Sequence, residues 1–184
     1  IASSRAKVGP DFAITLRMSG DERRTGGRTT QETQFIARTL AEAGVDSIEI
    51  SGGVIPTVFH GVVPPQGTEL ALNAPYAKLI KEVVDIPIMC VGRINTPRLA
   101  EFVIATGEAD MVSMGRALNA DPEMPNKAAE GRLDDIRPCV GCNEGCIASV
   151  MKGIPARCII NTQAGRETED FTTPAEQPKR IFVA

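Results

Sequence analysis

The hydrophobic positions of the chain follow two alternating patterns, short continuous apolar runs and longer segments with helical periodicity. The apolar runs predict four strands, within residues 11–18, 45–50, 86–91 and 110–114. The amphipathic segments between them predict helices over residues 29–43, 73–84 and 96–105. Continuous apolar strands separated by such helices are typical of a parallel sheet that is covered on its faces.

Two of the helix starts carry capping signals. Thr29 followed by Glu32 has the spacing of a capping box, and Gly44 is a stop signal after that helix. Thr96 followed by Pro97 places an N-cap residue before a proline at the first helical position. Between the second strand and the next helix, residues 51–67 are rich in Gly and Pro and predict a long loop.

The strand and helix order predicts part of a barrel rather than a closed one. Each strand is followed by a loop rich in Gly, Arg, Ser or Asn, and barrels of parallel strands carry their chemistry on these loops. Four strands cannot close an eight-stranded barrel. We therefore expect an α/β fold, the C-terminal half of a (β/α)8 TIM barrel over residues 1–132, followed by a Cys-rich segment over 133–170. Residues 179–184 predict a new strand that opens a further domain, so we expect a fragment of a larger multidomain chain.

The composition excludes several classes of protein. With 42% hydrophobic and 23% charged residues, the 184-residue chain has the balance of an ordinary globular protein and not of a disordered one. Its net charge is −3 and its Lys and Arg residues are scattered, which argues against nucleic-acid partners and anionic membrane surfaces. No apolar stretch reaches the roughly 20 residues of a membrane span. We expect a cytoplasmic protein.

Four of the five cysteines fall in one short stretch, with the pattern C-x2-C-x3-C-x11-C formed by Cys139, Cys142, Cys146 and Cys158. Three thiolates on a Gly-containing loop and a fourth from a short excursion are suited to a [4Fe–4S] cluster. Structural zinc, which usually takes two C-x2-C pairs, and disulfides or free thiols remain the alternatives. The fifth cysteine, Cys90, lies inside the third predicted strand, where a small buried core residue is expected.

Two consecutive strands end in Gly-Arg, at Gly92-Arg93 and at Gly115-Arg116. A glycine after a strand lets backbone amides approach a phosphate, and a guanidinium binds its oxygens with two hydrogen bonds. Phosphate-binding barrels build this site after their last two strands. Ordinary strand-end turns with solvated arginines are the alternative interpretation.

Two further residues are candidates for the ligand site. Arg17 ends the first strand, where its charge could stabilise an anionic reduced flavin or form a salt bridge at the rim. His60 is the only histidine and lies on the loop after the second strand. It is a weak candidate for a catalytic acid, because a single loop histidine is more often structural.

Together these motifs resemble the Old Yellow Enzyme family of NADH:flavin oxidoreductases, specifically its iron–sulfur branch. That branch includes 2,4-dienoyl-CoA reductase, enoate reductases, and trimethylamine and histamine dehydrogenases. The resemblance covers nearly the whole chain. Its most specific stretches are residues 91–94, 109–116 and 136–146, with Cys158 and residues 165–167.

The resemblance implies an FMN-binding barrel with a [4Fe–4S] cluster beside it. Arg17 would face the flavin ring, and the four cysteines would ligate the cluster. The FMN phosphate would be held by Gly92, Arg93, Gly115 and Arg116. FAD and NAD(P)H would bind in a C-terminal region, of which residues 171–184 would be the linker and first strand.

The implied activity is an NAD(P)H-dependent reduction of an activated C=C bond in a small-molecule substrate. The dienoyl-CoA reductases have an acid–base His shortly after this strand. Residues 50–53 of this chain, Ile-Ser-Gly-Gly, contain none and are closer to the enoate-type reductases. The alternatives are an amine dehydrogenase of the trimethylamine type and a non-enzymatic, zinc-bearing structural domain. The catalytic Tyr of the family would lie in the missing half, so we expect the isolated fragment to be inactive. A homo-oligomer is a possible assembly.

Overall fold

The computed structural model describes residues 1–169, 173–174 and 176–182, without the side chains of Phe59 and His60. After an initial helix, α1 Ala2–Val8, four strands form one parallel sheet in chain order: β1 Thr15–Ser19, β2 Ser47–Ser51, β3 Ile88–Val91 and β4 Met111–Ser113. Parallel neighbours need crossover connections, and helices supply them: α2 Thr30–Glu42, α3 Ala74–Lys81 and α4 Pro97–Ala105. The predicted alternation of strands and helices is confirmed.

The strands are aligned so that their carboxyl ends reach the same edge of the sheet. Arg17 pairs with Glu49, Glu49 with Met89, and Met89 with Met111. The loops that follow the four strands therefore meet at one edge. This is the edge at which parallel α/β folds place their ligands.

The core lies between the sheet and its helices. Ile48 and Ile50 of β2 and Ile88 of β3 are fully buried, as is Val103 of α4. Cys90 is also fully buried, which confirms it as a core residue. Burial, reinforced by the negative charges of nearby glutamates, raises the pKa of its thiol to about 12.

Both predicted caps are present. Thr29 Oγ1 accepts a hydrogen bond from Glu32 N at 3.4 Å, and Glu32 Oε2 accepts one from Thr29 N at 2.8 Å. Thr96 Oγ1 accepts from Leu99 N at 3.2 Å at the start of α4. These bonds satisfy backbone N–H groups that have no partner within the helix, which is why the sequence places the helix starts correctly.

Two features of the observed fold were not predicted from the sequence. The predicted loop 51–67 contains a 3-10 turn, Ile55–Thr57, and a π-helical turn, Val58–Val62. After β4 the chain forms short helices that the periodicity did not predict, because each is too short for a helical repeat: α5 Gly115–Ala120, α6 Met124–Ala129 and α7 Ile147–Met151, with a 3-10 turn at Leu133–Asp135. Residues 179–182 are described without a strand, and residues 183–184 lie outside the described residues, so the strand predicted over 179–184 stays a prediction.

Candidate functional site

A cleft of about 280 Å³ opens at the carboxyl edge of the sheet. Residues of the strands β1 and β2 and of the segments that follow β2, β3 and β4 contribute to it, together with the cysteine segment. Each residue that the sequence predicted to contact a flavin or its phosphate lines this one cleft: Arg17, Gly92, Arg93, Gly115 and Arg116. The two arginines after β3 and β4 therefore face a common space instead of separate solvated turns.

The turn after β3 requires its glycine. Gly92 has φ 145°, and a Cβ there would lie 2.7 Å from Asn73 Nδ2. The side-chain amide of Asn73 is held next to Gly92 because its Nδ2 donates to Val91 O at 2.5 Å. Arg93 follows with φ 57°, a left-handed conformation that is uncommon outside glycine. The backbone of this turn thus places the Arg93 side chain along the wall of the cleft.

The Arg93 guanidinium has an unmet hydrogen-bonding requirement. Its Nη1 donates to Thr68 O. Within the part of the chain that the structure describes, its Nε is buried and has no hydrogen-bond partner. Buried donors are nearly always paired, so this nitrogen calls for an acceptor that the chain does not supply. An anion in the cleft, such as the phosphate of FMN, is suited to that position.

Arg116 borders the cleft but points its guanidinium toward the cysteine segment. Its Nη1 donates to Pro64 O at 2.9 Å and to Asn143 Oδ1 at 2.6 Å. The preceding Gly115 is open on one side, because a Cβ there would meet no atom within 4 Å. The turn after β4 therefore combines a positive charge with free space at the backbone, as a phosphate site requires.

Arg17 forms an ion pair inside the cleft. Its Nη1 lies 3.5 Å from Glu49 Oε1, and its Nη2 donates to Ser51 Oγ at 3.2 Å. About half of the Arg17 side chain remains exposed, so the guanidinium can still reach a ligand. Glu49 was not predicted from the sequence, because a glutamate inside an apolar strand gives no signal of the arginine that faces it.

The four clustered cysteines line a second, smaller cavity directly beside the cleft. Cys139 and Arg116 line both spaces and so form part of the wall between them. All five cysteines lie in the described part of the chain, and none of them is disulfide-bonded. The disulfide interpretation of the pattern therefore finds no support in the fold.

A close backbone contact brings the fourth cysteine to the other three. Arg157 N donates to Gly145 O at 2.7 Å, which ties the residue before Cys146 to the residue before Cys158. A Cβ on Gly145 would lie 2.7 Å from Arg157 O, so only glycine permits this approach. This hydrogen bond brings together the two ends of the loop between Cys146 and Cys158.

The spacing of these thiols bears on the choice between zinc and iron. Among the residues that the structure describes, no three His, Cys, Asp or Glu side chains are grouped to hold a single metal ion. Four thiolates at about 2.3 Å from one zinc would be drawn closely together. A cluster of iron and sulfide keeps its ligands further apart, because the cluster lies between them. The [4Fe–4S] cluster and structural zinc both stay predictions for the cysteine cavity.

The surroundings of Cys139 act on its thiol in opposite directions. Burial raises the pKa of the Cys139 thiol, and the neighbouring Cys146 and Cys158 act in the same direction. The backbone N–H of Gly141 and the charge of Arg116 partly oppose the rise. Cysteines bind metals as thiolates. The Gly141 N–H and the charge of Arg116 would therefore help to stabilise the thiolate form of Cys139.

Comparison with known proteins gives these two cavities a context. The model of the NADH:flavin oxidoreductase / NADH oxidase family matches residues 1–135. The chain belongs to this family.

Relatives within the NADH:flavin oxidoreductase family match the chain over most of its length. It is 41% identical over 186 residues to a metal reductase of Desulforamulus reducens, covering 100% of the chain and 27% of the relative. It is 45% identical over 164 residues to an NADH oxidase of Thermoanaerobacter brockii, covering 87% and 25%. A cinnamate reductase of Clostridium sporogenes is 33% identical over 193 residues, covering 97% and 29%.

Solved structures confirm the fold class. A 2-naphthoyl-CoA reductase in complex with 2-naphthoyl-CoA matches with TM-score 0.83 and 30% identity, covering 89% of this chain and 25% of that one. A histamine dehydrogenase from Rhizobium sp. 4-9 matches with TM-score 0.79 and 29% identity, covering 89% and 23%. The chain thus spans about a quarter of the length of the proteins it matches.

His60 stays a prediction. Its backbone lies in the π-helical turn Val58–Val62, but its side chain lies outside the described residues. Other residues of this flavin oxidoreductase site were missed by sequence reasoning. Asn95, which lines the cleft, donates its Nδ2 to Cys139 O at 3.1 Å, and Asn143 binds Arg116. Both are asparagines beside recognised motifs, a position that gives only a weak signal.

Proposed function

We propose that this chain holds FMN in the cleft and a [4Fe–4S] cluster in the cysteine cavity, as one segment of a longer oxidoreductase. The observation that carries the proposal is the shared wall between a cleft lined by three arginines and a cavity lined by four cysteines. Two redox groups held on either side of Cys139 and Arg116 would be near neighbours. Family membership supports the flavin, and the four cysteines that line one cavity support the cluster.

The chain's own residues would divide the work of holding these groups. Arg93 would bind a phosphate through its unpaired Nε, and Gly92 and Gly115 would let backbone and phosphate approach each other. Arg17, oriented by Glu49, would place a fixed positive charge beside the flavin ring. The cysteines would supply the thiolate ligands of the cluster: Cys139, Cys142, Cys146 and Cys158.

When bound, FMN supplies hydride transfer and an iron–sulfur cluster supplies single-electron transfer. We propose that the whole protein reduces an activated C=C bond. NAD(P)H and a proton are consumed, NAD(P)⁺ is released, and the two alkene carbons gain two hydrogens. The similarity to a cinnamate reductase and to a 2-naphthoyl-CoA reductase supports this direction.

The remaining parts of the proposal concern the rest of the protein. Residues 1–132 would form the second half of the FMN barrel, 133–170 the cluster segment, and 171–184 the linker and first strand of a domain for FAD and NAD(P)H. Reduced thiolates favour a cytoplasmic location. Among the described residues, no helix has the length and apolar character needed to cross a bilayer.

The proposal is tested on the full-length protein under anaerobic conditions with NADH or NADPH. Cinnamate and other 2-enoates are offered, and the saturated product is quantified against nicotinamide oxidised. We expect a one-to-one ratio in wild type, loss of iron and activity in Cys142→Ala, and retention of both in the matched control Cys90→Ala. A wild-type protein that carries neither flavin nor iron would refute the proposal.

The second candidate function reverses the electron flow and oxidises an amine, as the similarity to a histamine dehydrogenase indicates. Bleaching of the oxidised flavin by amines, without turnover of enoates, would establish it in place of the first. A further arm of the assay offers an oxidised metal ion, the class of substrate in the printed name of the D. reducens relative. A colourless protein with stoichiometric zinc would instead establish the structural alternative.

A further inference from the structure

The first part of the cysteine segment is hydrogen-bonded at alternate residues to three parts of the barrel: the loops after β3 and β2, and the start of α5. Cys139 O accepts from Asn95 Nδ2 on the loop after β3, at 3.1 Å. Gly141 O accepts from Gln66 N on the loop after β2, at 2.8 Å. Asn143 makes the third contact, with the arginine after β4. The cysteine segment therefore takes its position from the same loops that line the flavin cleft.

Asn143 is the member of this set whose side chain makes two such contacts. Its Oδ1 accepts from Arg116 Nη1 at 2.6 Å, and its Nδ2 donates to Val63 O at 2.9 Å. The residue is 8% exposed and has φ 61°. Asparagine is among the few residue types that tolerate this left-handed conformation. The Asn143 side chain is therefore buried and makes two hydrogen bonds, and its backbone is held in a left-handed conformation directly after Cys142.

The partner of Asn143 borders both cavities. Arg116 lines the flavin cleft and the cysteine cavity. A hydrogen bond from a guanidinium is charge-assisted, and is stronger and shorter than one between neutral groups. A change in the position of Arg116 when an anion enters the cleft would thus be transmitted to the segment that holds the cysteines. Conversely, a cluster that orders the segment would fix Arg116.

We infer that Asn143 is a positioning residue that couples the two sites, so that FMN binding and cluster retention strengthen each other. The inference rests on the proposed function, because it requires both groups. Coupling between two binding sites is reciprocal, so each group must increase the affinity for the other by the same factor. Asn143 lines the cysteine cavity but not the flavin cleft, so its effect on FMN would pass through Arg116.

The test measures FMN affinity in the full-length protein, with the cluster present and after its removal by a chelator. In wild type we expect FMN to bind about tenfold more tightly when the cluster is present, within the usual range of coupling between sites. In Asn143→Gly, which keeps the left-handed backbone accessible, the two affinities should agree within about twofold. Asn126→Gly makes the same chemical change at an exposed position of α6 and should retain the wild-type ratio.

A second readout uses the reciprocal effect, the rate of iron release to the chelator with and without FMN. FMN should slow the release in wild type and in Asn126→Gly, but not in Asn143→Gly. Asn143→Asp keeps the acceptor for Arg116 and tolerates the same backbone conformation, but it loses the donor to Val63 O. Because the coupling is assigned to the Arg116 contact, this variant should restore the FMN dependence. If Asn143→Gly takes up no cluster, the FMN dependence of iron release in Asn143→Asp still tests the role of this residue.

The outcomes separate this inference from the proposed function. Equal FMN affinities with and without the cluster in wild type would overturn the coupling while leaving both cofactors in place. Full coupling in Asn143→Gly, or its absence in Asn143→Asp, would also overturn the role given to this residue. Absence of flavin and iron from the wild-type protein would refute the proposed function itself.

Discussion

A buried carboxylate fixes the entry of the cysteine segment, and its replacement gives a sharp test of the fold. Asp121 is fully buried after α5. It accepts hydrogen bonds from Lys127 Nζ at 2.6 Å, from Arg137 N at 3.0 Å and from Glu123 N at 3.2 Å. Arg137 is two residues before Cys139, so this carboxylate joins the barrel helices to the start of the cluster segment.

The expected cost of Asp121→Asn follows from these contacts. Removing one partner of a buried ion pair costs about 3–5 kcal/mol. Lys127 keeps a second acceptor, Asp135 O at 3.0 Å, and asparagine retains one oxygen. We therefore expect the free energy of unfolding to fall by about 2 kcal/mol, below that range. For a chain of this size the Tm should fall by about 4–8 °C.

The assay is urea and thermal unfolding at neutral pH, followed by circular dichroism. Asp134→Asn is the matched control, because Asp134 is exposed on the same stretch and surface changes alter stability by about 0.5 kcal/mol or less. Equal stability of Asp121→Asn and wild type, or equal losses in the two variants, would refute the structural role of this carboxylate. The same variant should release iron faster, since Arg137 is no longer anchored.

The pH dependence of this difference has a definite sign. Burial acts to raise the pKa of Asp121, but hydrogen bonds and charge from Lys127 and Arg137 outweigh it and hold the pKa below its ordinary value of 3.8. The carboxylate therefore contributes its full stabilisation above pH 3.8, and that contribution is lost as the pH falls through the lower folded value. The difference in free energy of unfolding between wild type and Asp121→Asn should stay constant from neutral pH down to about 3.8. It should then narrow as the pH falls through the lower pKa of the folded protein. A gap that widens in acid would contradict the assignment.

Three further predictions concern the two cavities. Gly145→Ala places a Cβ 2.7 Å from Arg157 O, so the iron and sulfide content of the protein should fall by half or more. An unchanged iron content would argue against a single site formed by the four cysteines. Arg93→Ala should weaken FMN binding by about tenfold or more in a fluorescence titration, while the exposed Arg98→Ala serves as control and should not; equal affinities would remove the phosphate role. In iron-free native protein, iodoacetamide should leave Cys90 unmodified until the protein is denatured, because its thiol is fully buried with a pKa of about 12; mass spectrometry of the labelled peptides decides this.

Much of the barrel half could be read from neighbouring residues. Helix α4 was predicted with its observed end at Ala105, because Thr96 and Pro97 start it by local hydrogen bonding and fixed backbone geometry. The short helices after β4 escaped prediction, since α5 and α6 span only six residues each. Segments of that length are stabilised by the structure they pack against and leave little periodicity in the sequence.

The candidate site divides in the same way. The Gly-Arg pairs and the cysteine spacing are local patterns, and they indicated both the cleft and the cysteine cavity. The sequence did not indicate that Arg116 turns to Asn143, or that the amide of Asn143 reaches Val63, which lies 80 residues earlier. Glu49 beside Arg17 is a further contact of this kind.

The sequence by itself thus determined the order of strands and helices, the four thiols and the arginines, because each depends on residue type and on spacing between near neighbours. Only the tertiary structure decided that the two cavities share Cys139 and Arg116 as a wall. The physical reason is the alignment of the parallel strands. It brings loops that are far apart in the chain to one edge of the sheet, where side-chain contacts depend on geometry that no local pattern encodes.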